Sequence, residues 1–337
     1  MNYIGSKLKL CQEFIPKTIK SVCGNDLSNF VFCDLFAGTG IVGRTFKTLV
    51  KKVIANDIEY YSYVINKNYI ENHKEMPEKN EYINELNDAK LMKNGFIYSN
   101  YCVGGSGERQ FFSDYNGMKI DTIRTKIENW MKKGKISQNL YYYLLCSLLE
   151  CADKVANTAS VYGAYLKKLK ASAQKELVLV GADYQLNDND HEVYNEDANK
   201  LINKIEGDIL YLDPPYNARQ YGANYHLLNT IAEYKKFVPK GKTGLREYNK
   251  SLYCSISTVK NEFDELIKNA RFKYIFLSYN NEGLLTFDDI EETMSKYGHY
   301  DHKEMKYQRF KADSNRNNKF DSTVEYIHIL EKTNMFR

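Results

Sequence analysis

The chain has 337 residues, 43% of them apolar and 27% charged, with a formal net charge of +4. That composition excludes a disordered, collagen-like or membrane-embedded chain, since no apolar run approaches the roughly 18 to 20 residues of a membrane span. A charge so close to balance does not by itself identify a polyanionic partner, and the length suits either one large α/β domain with an insertion or two domains.

The N-terminal stretch Met1 to Lys7 has no apolar segment of the signal-peptide kind, so a cytoplasmic protein is expected. Residues 29–36 form a continuous apolar run of strand length, and Ala37 to Gly43 turns it into a helix ending near Val50. Residues 52–57 read as a second strand, followed by a helix through Tyr69, which is how a doubly wound sheet opens. Between Tyr69 and Val193 that rhythm breaks. A loop at Gly104-Gly105-Ser106-Gly107 precedes three segments with apolar residues at helical spacing, 120–131, 139–154 and 159–174. The parallel pattern resumes with a strand at 205–212, a helix at 225–235 and a strand at 272–278. A hairpin over 300–310 and 323–331 follows, with a polar loop between its strands. The expected fold is therefore α/β and Rossmann-like, a doubly wound, mostly parallel sheet built from 1–75 and 191–337, carrying a mostly helical insertion at 76–190.

Seven cysteines include no C-x-x-C pair, so free buried thiols are expected rather than disulfides or zinc. His299 and His302 have no further ligands nearby and read as a solvated pair. Basic residues gather at Lys167, Lys168, Lys170 and Lys175, and again from Lys303 to Lys319, where Tyr307, Phe310 and Phe320 are interleaved. Cations with interleaved rings suit nucleic acid, although a solvated lysine-rich surface explains the first cluster equally well.

The tetrapeptide Asp213-Pro214-Pro215-Tyr216 carries the most chemistry. It closes the run Gly207 to Leu212, and because neither proline can donate to a ladder, the strand ends there in a rigid elbow. A carboxylate, fixed carbonyls and an aromatic face are thus held at the carboxyl end of a strand, where open α/β sheets bind ligands. Such a set suits a planar heterocycle bearing an amino group; an ordinary exposed turn is the plain alternative.

Gly38-Thr39-Gly40-Ile41-Val42-Gly43 satisfies G-x-G-x-x-G, and Asp57 closes the next strand, a pattern that taken alone fits the dinucleotide site of a dehydrogenase. Asp34 argues otherwise. A carboxylate four residues before the loop repels pyrophosphate and favours an α-amino group, and Asp213 to Tyr216 have no part in hydride transfer. S-adenosylmethionine meets both points: it carries an ammonium, its ribose takes an acid, and its sulfonium requires no phosphate cradle.

With these motifs in this order, the chain resembles the D12 class (Dam-like) of N6-adenine-specific DNA methyltransferases. Asp34 to Gly40 looks like the family's cofactor loop, Asp213 to Tyr216 like its catalytic motif, and Asn2-Tyr3-Ile4-Gly5-Ser6-Lys7 like its N-terminal motif. The likeness continues through Asn195-Glu196-Asp197, residues 217–226 and Ser278-Tyr279-Asn280-Asn281, while 95–190 matches loosely through 155–162. The resemblance implies a seven-stranded class I methyltransferase fold, S-adenosyl-L-methionine as cofactor, and methylation of adenine N6 in double-stranded DNA by base flipping. It also implies a restriction-modification setting, with a restriction endonuclease acting at the same site, and neither a metal nor a membrane.

Carried over residue by residue, the resemblance has Tyr3 and Lys7 close over the methionine end, with Lys7 pairing with its carboxylate. Asp34 and the Gly38 and Gly40 backbone border the amino acid, Asp57 the ribose and Asp197 the adenine amino group, and Phe36 belongs to the same cofactor site. Asp197 also reads as an ordinary helix start. The Asp213 carboxylate and Pro214 carbonyl take the N6 hydrogens, Pro215 stiffens the elbow, and Tyr216 stacks on the extruded base. Charge and position put Arg309, Phe310 and the loop to Lys319 near the target strand, and Lys167, Lys168 and Lys170 on phosphates. The rival readings are cytosine N4 methylation, RNA or protein-amide methylation, a DNA-binding protein with a vestigial cofactor site, and the dehydrogenase.

Overall fold

The computed structural model describes residues 7–308 and 322–333. Tyr3, Arg309, Phe310 and Lys319, with the rest of the N-terminal motif before Lys7 and the polar loop of the hairpin, lie outside the described residues.

Seven strands form one sheet: β1 Val31–Asp34, β2 Lys52–Asn56, β3 Glu192–Tyr194, β4 Glu206–Leu212, β5 Arg271–Asn280, β6 Gly298–Gln308 and β7 Ser322–Lys332. Their order is β3-β2-β1-β4-β5-β7-β6. The first five run parallel, and β7 pairs antiparallel with both β5 and β6. A sheet covered on both faces needs continuous apolar strands, which is why these runs were legible. In β4, for example, Ile209 and Tyr211 join the layer holding helix Phe14–Cys23, while Leu210 and Leu212 join the layer holding helix Val259–Asn269. The strand order reverses between β1 and β4, and such a switch point opens a crevice at the carboxyl ends of those two strands.

The segment 76–190 supplies helices Asp114–Lys132 and Gln138–Val155. The first begins six residues before the apolar periodicity suggests and the second one residue before, where Ser113 and Ser137 cap them by accepting the N–H of Asn116 and Leu140. The expected helix over 159–174 is absent except for Ala171–Gln174. Its apolar residues share no common face: Tyr162 is fully buried, whereas Leu166 is 38% exposed. Asn157 instead closes this stretch into a loop. Its amide donates to the Gln110 and Leu166 carbonyls, and its oxygen accepts from Lys170 N–H.

These helices pack on two others, Tyr60–Asn66 and His226–Glu233, in one core that includes Val64, Ile65, Ile123, Leu144, Leu148 and Ile231. Arg124, 3% exposed, donates from its guanidinium to the Ile231 and Ala232 carbonyls at the end of helix His226–Glu233. Helix Tyr60–Asn66 runs on as a wide π-turn, Lys67–Glu71. Fully buried Lys47 secures it, donating from Nζ to the carbonyls of Tyr69 at 3.0 Å, Asn72 at 2.6 Å and Gln185 at 2.9 Å. Among the described residues, no helix is long and apolar enough to cross a membrane.

Replacing Lys47 with methionine keeps the stem but leaves three carbonyls without their donor. Urea unfolding of Lys47→Met is expected to show a loss of about 2–4 kcal/mol; a loss below about 0.5 kcal/mol would show that the carbonyls find other partners.

Candidate active site

Three carboxylates stand at the ends of adjacent strands. Asp34 is the last residue of β1 and 1% exposed; its Oδ2 accepts the Gly43 N–H at 3.0 Å, which ties the strand to helix Ile41–Phe46. Its other oxygen has no hydrogen-bond partner among the described residues, and the residue borders a cleft. Burial pushes its pKa up to about 7, with the charges of Asp213 and Asp57 adding to the rise. Asp57, just past β2, accepts the Gly38 N–H at Oδ2 and the Glu59 N–H at Oδ1, both at 2.8 Å. Burial raises its pKa too, and those backbone donors oppose the rise.

The glycine loop is strapped between these acids. The Gly38 carbonyl accepts from Ser62 Oγ at 2.5 Å and Asn66 Nδ2 at 3.1 Å. Gly40 has φ +73°, and a Cβ there would sit 2.4 Å from Asn66 Oδ1, so a side chain is excluded by both strain and space. Phe36, beyond β1, meets Tyr253 edge to face with ring centroids 5.2 Å apart. Asp197 caps helix Ala198–Leu201 by accepting the Lys200 N–H at 3.1 Å, so the helix-start reading is fulfilled, and it also borders the cleft.

The third strand-end carboxylate is Asp213, half-buried immediately after β4. Burial raises its pKa to about 6; the Lys7 ammonium opposes that rise and Glu325 adds to it. Lys7 Nζ lies 3.3 Å from Asp213 Oδ1 and also pairs with Glu325. The structure therefore sets Lys7 between two protein carboxylates, whereas the resemblance implies a cofactor carboxylate as its partner. Tyr216 meets Tyr279 edge to face at 6.4 Å, and its carbonyl accepts the Leu284 N–H at 2.9 Å, which fixes the elbow. Pro215 and Tyr216 border the same cleft as Lys7, Asp34, Gly38 and Asp57, whereas Gly40 and Pro214 are not among its lining residues.

Away from the cleft wall, Lys167 and Lys168 are exposed. Lys170 is half-buried, and its ammonium donates to the Thr158 carbonyl at 2.7 Å, so it serves the 157–170 loop. Sequence reasoning missed Glu325, 2% exposed in β7, and the wall formed by Ser251, Leu252 and Tyr253. Gln220 holds that wall by bonding both the N–H and the carbonyl of Ser251. The signal for Glu325 was present: one acid interrupts the otherwise apolar alternation from Val324 to Leu330.

The family model for D12 class N6 adenine-specific DNA methyltransferase matches residues 3–293. The chain is 58% identical to Type II methyltransferase M.NlaIII of Neisseria lactamica, over 99% of this chain and 100% of that one. It is 39% identical to Type II methyltransferase M.CviAII of Paramecium bursaria Chlorella virus 1, over 93% of each chain. It is also 39% identical to Type II methyltransferase M.FokI of Planomicrobium okeanokoites, where it covers 98% of its own length and 53% of the relative's. The sheet order, the strapped glycine loop and the proline elbow are those of a class I methyltransferase fold. The chain belongs to the D12 class of N6 adenine-specific DNA methyltransferases and is a Type II enzyme of that class, acting on DNA.

Proposed function

We propose that this cleft joins S-adenosyl-L-methionine to an adenine flipped out of duplex DNA, with Asp213, Pro214, Pro215 and Tyr216 holding the base and the 34–57 region holding the cofactor. One observation carries the reading: the Asp213 carboxylate and the Asp34–Asp57 glycine loop border one cleft at the switch point of the sheet. Its residues fit this cofactor. Asp34 offers an unshared oxygen to an ammonium, and the anionic wall repels a pyrophosphate. Asp57 keeps lone pairs for ribose hydroxyls beside the two N–H bonds it accepts, and the Phe36–Tyr253 edge and Asp197 flank the place for a heterocycle.

When bound, S-adenosyl-L-methionine supplies a methyl group on a sulfonium whose leaving group is a neutral thioether. The chain's own part is placement. Adenine N6 is a poor nucleophile because its lone pair is delocalised into the ring. Hydrogen bonds from N6 to the Asp213 carboxylate and the Pro214 carbonyl favour a pyramidal nitrogen whose lone pair faces the methyl group. Tyr216 stacks on the base and offsets part of the few kcal/mol that extrusion costs. The 76–190 helical segment reads as the target-recognition unit, with Lys167 and Lys168 on phosphates, and Tyr3, Arg309, Phe310 and Lys319 complete the site in this reading. A restriction endonuclease acting at the same sequence is the natural companion, as befits a relative of Type II methyltransferases.

Labelled cofactor incubated with mixed-sequence duplex DNA, followed by digestion to nucleosides, should place the label in N6-methyladenosine; label in N4-methylcytosine overturns the reading. Asp213→Ala should reduce transfer by more than about a thousandfold while cofactor affinity changes only a few-fold. Near-wild-type turnover would exclude Asp213 from the chemistry. Because burial raises the Asp213 pKa to about 6 and its ionised carboxylate is the form that accepts an N6 hydrogen, kcat should fall as pH drops through that value. A profile flat to pH 5 contradicts this. The double charge reversal Lys167→Glu with Lys168→Glu should weaken DNA binding and lower the slope of log K against log salt by about 2; an unchanged slope removes these lysines from the interface.

A further inference from the structure

We propose that Glu325 is a positioning residue for methyl transfer: from β7 it shares the Lys7 ammonium with Asp213 and so keeps Asp213 a strong acceptor of the N6 proton. The inference rests on Asp213 being that acceptor.

Glu325 pairs in register with Asn280 of β5 and Met305 of β6, and at 2% exposure it is an unusual guest in a strand whose Ile327, Ile329 and Leu330 are core. Its Oε1 accepts from Ser278 Oγ at 2.7 Å and from Lys7 Nζ. The same ammonium stands 3.3 Å from Asp213 Oδ1. A buried ion pair rarely stabilises a fold more than apolar residues of similar volume, so packing does not account for a charge at this position. Its connection does: through Lys7 it reaches Asp213.

The charged and titratable groups facing Asp213 come from every surrounding element. They are Lys7 and Cys11 from the N-terminal helices, Asp34 from β1, Tyr211 from β4, Tyr221 beyond the elbow and Glu325 from β7. Lys7 is the one cation in this set. Were it paired with Asp213 alone, the two would neutralise each other and the carboxylate would be a weak acceptor. Glu325 draws the ammonium partly to itself and adds a negative charge, leaving Asp213 ionised near neutral pH and basic enough for the task. As the N6–methyl bond forms, the sulfonium carbon–sulfur bond breaks and its electron pair leaves on sulfur. The surplus N6 proton passes to Asp213 and from there to water.

The test is the pH dependence of kcat under single turnover for the full chain with duplex DNA and cofactor. Glu325→Gln keeps the shape and the Ser278 bond but removes the charge; its acid limb should move down by about one pH unit, with kcat at neutral pH lower by about tenfold. Lys7→Met removes the cation and should move the limb the other way by at least as much. Opposite shifts support the proposal. An unmoved limb in Glu325→Gln with a uniform loss of activity overturns it, as does an unmoved limb in Lys7→Met, which tests the idea even if the Glu325 variant does not fold. Asp213→Ala separates the two claims. If that variant is active, the acceptor assignment fails; if it is inactive while both limbs stay in place, only the role of Glu325 fails.

Discussion

Crowding of like charge at the end of the central strands governs the design of this site. Asp34, Asp57 and Asp213 follow three neighbouring strands, with Glu59 close behind and raised by burial to about 7. Carboxylates this near to one another and this dry cannot all ionise without donors. The fold supplies them as backbone N–H groups at Gly38, Gly43 and Glu59, and as the Lys7 ammonium. Tight turns around the glycine loop follow from that need: Gly38 must present its N–H to Asp57 while its carbonyl faces Ser62 and Asn66. Positive φ at Gly38 and Gly40 is the backbone consequence.

The same electrostatics selects what the cleft accepts. An ammonium and a sulfonium relieve the crowding, whereas a phosphate would deepen it. A G-x-G-x-x-G loop beside Asp34 is thus a different device from the same loop beside a helix N-terminus that awaits pyrophosphate. The proline elbow adds the second half of the chemistry without further charge. It stops β4 where Tyr216 can lean on Tyr279, and the Leu284 N–H holds the turn from the far side.

Much of this was legible in the linear chain, for physical reasons that name its limits. Parallel strands buried on both faces announce themselves as runs such as Ile209 to Leu212, and the glycine loop, Asp57 and the elbow are local in sequence. What escaped was non-local or contrary to periodicity. Glu325 meets Lys7 across a separation of 318 residues, which no spacing rule reaches. Residues 159–174 show helical periodicity, yet Asn157 satisfies their backbone as a loop and Tyr162 anchors it by donating to Asp153. Lys170, grouped with its neighbours by charge, is drawn inward by Thr158. The π-turn after Asn66 left no mark in composition, because its cause lies in Lys47 gathering carbonyls from Tyr69, Asn72 and Gln185.

The clamp of Arg124 on the end of helix His226–Glu233 has a bearing on how such enzymes can be recombined. Asn229 in that helix accepts the Tyr61 N–H and donates to Glu59, so the helices that follow β2 and β4 are cross-linked beneath the 76–190 segment. A graft of that segment from a relative, cut at its chain termini, would carry Arg124 away from the carbonyls it caps and leave an apolar floor shaped for other side chains. A seam that keeps Arg124 with its acceptors runs instead around residues 60–71 and 226–233, and the bonds that cross it, from Lys47 to Tyr69, from Ser62 and Asn66 to Gly38 and from Asn229 to Glu59, must be matched on both sides. A chimera designed along it exchanges three pieces of chain as one physical unit.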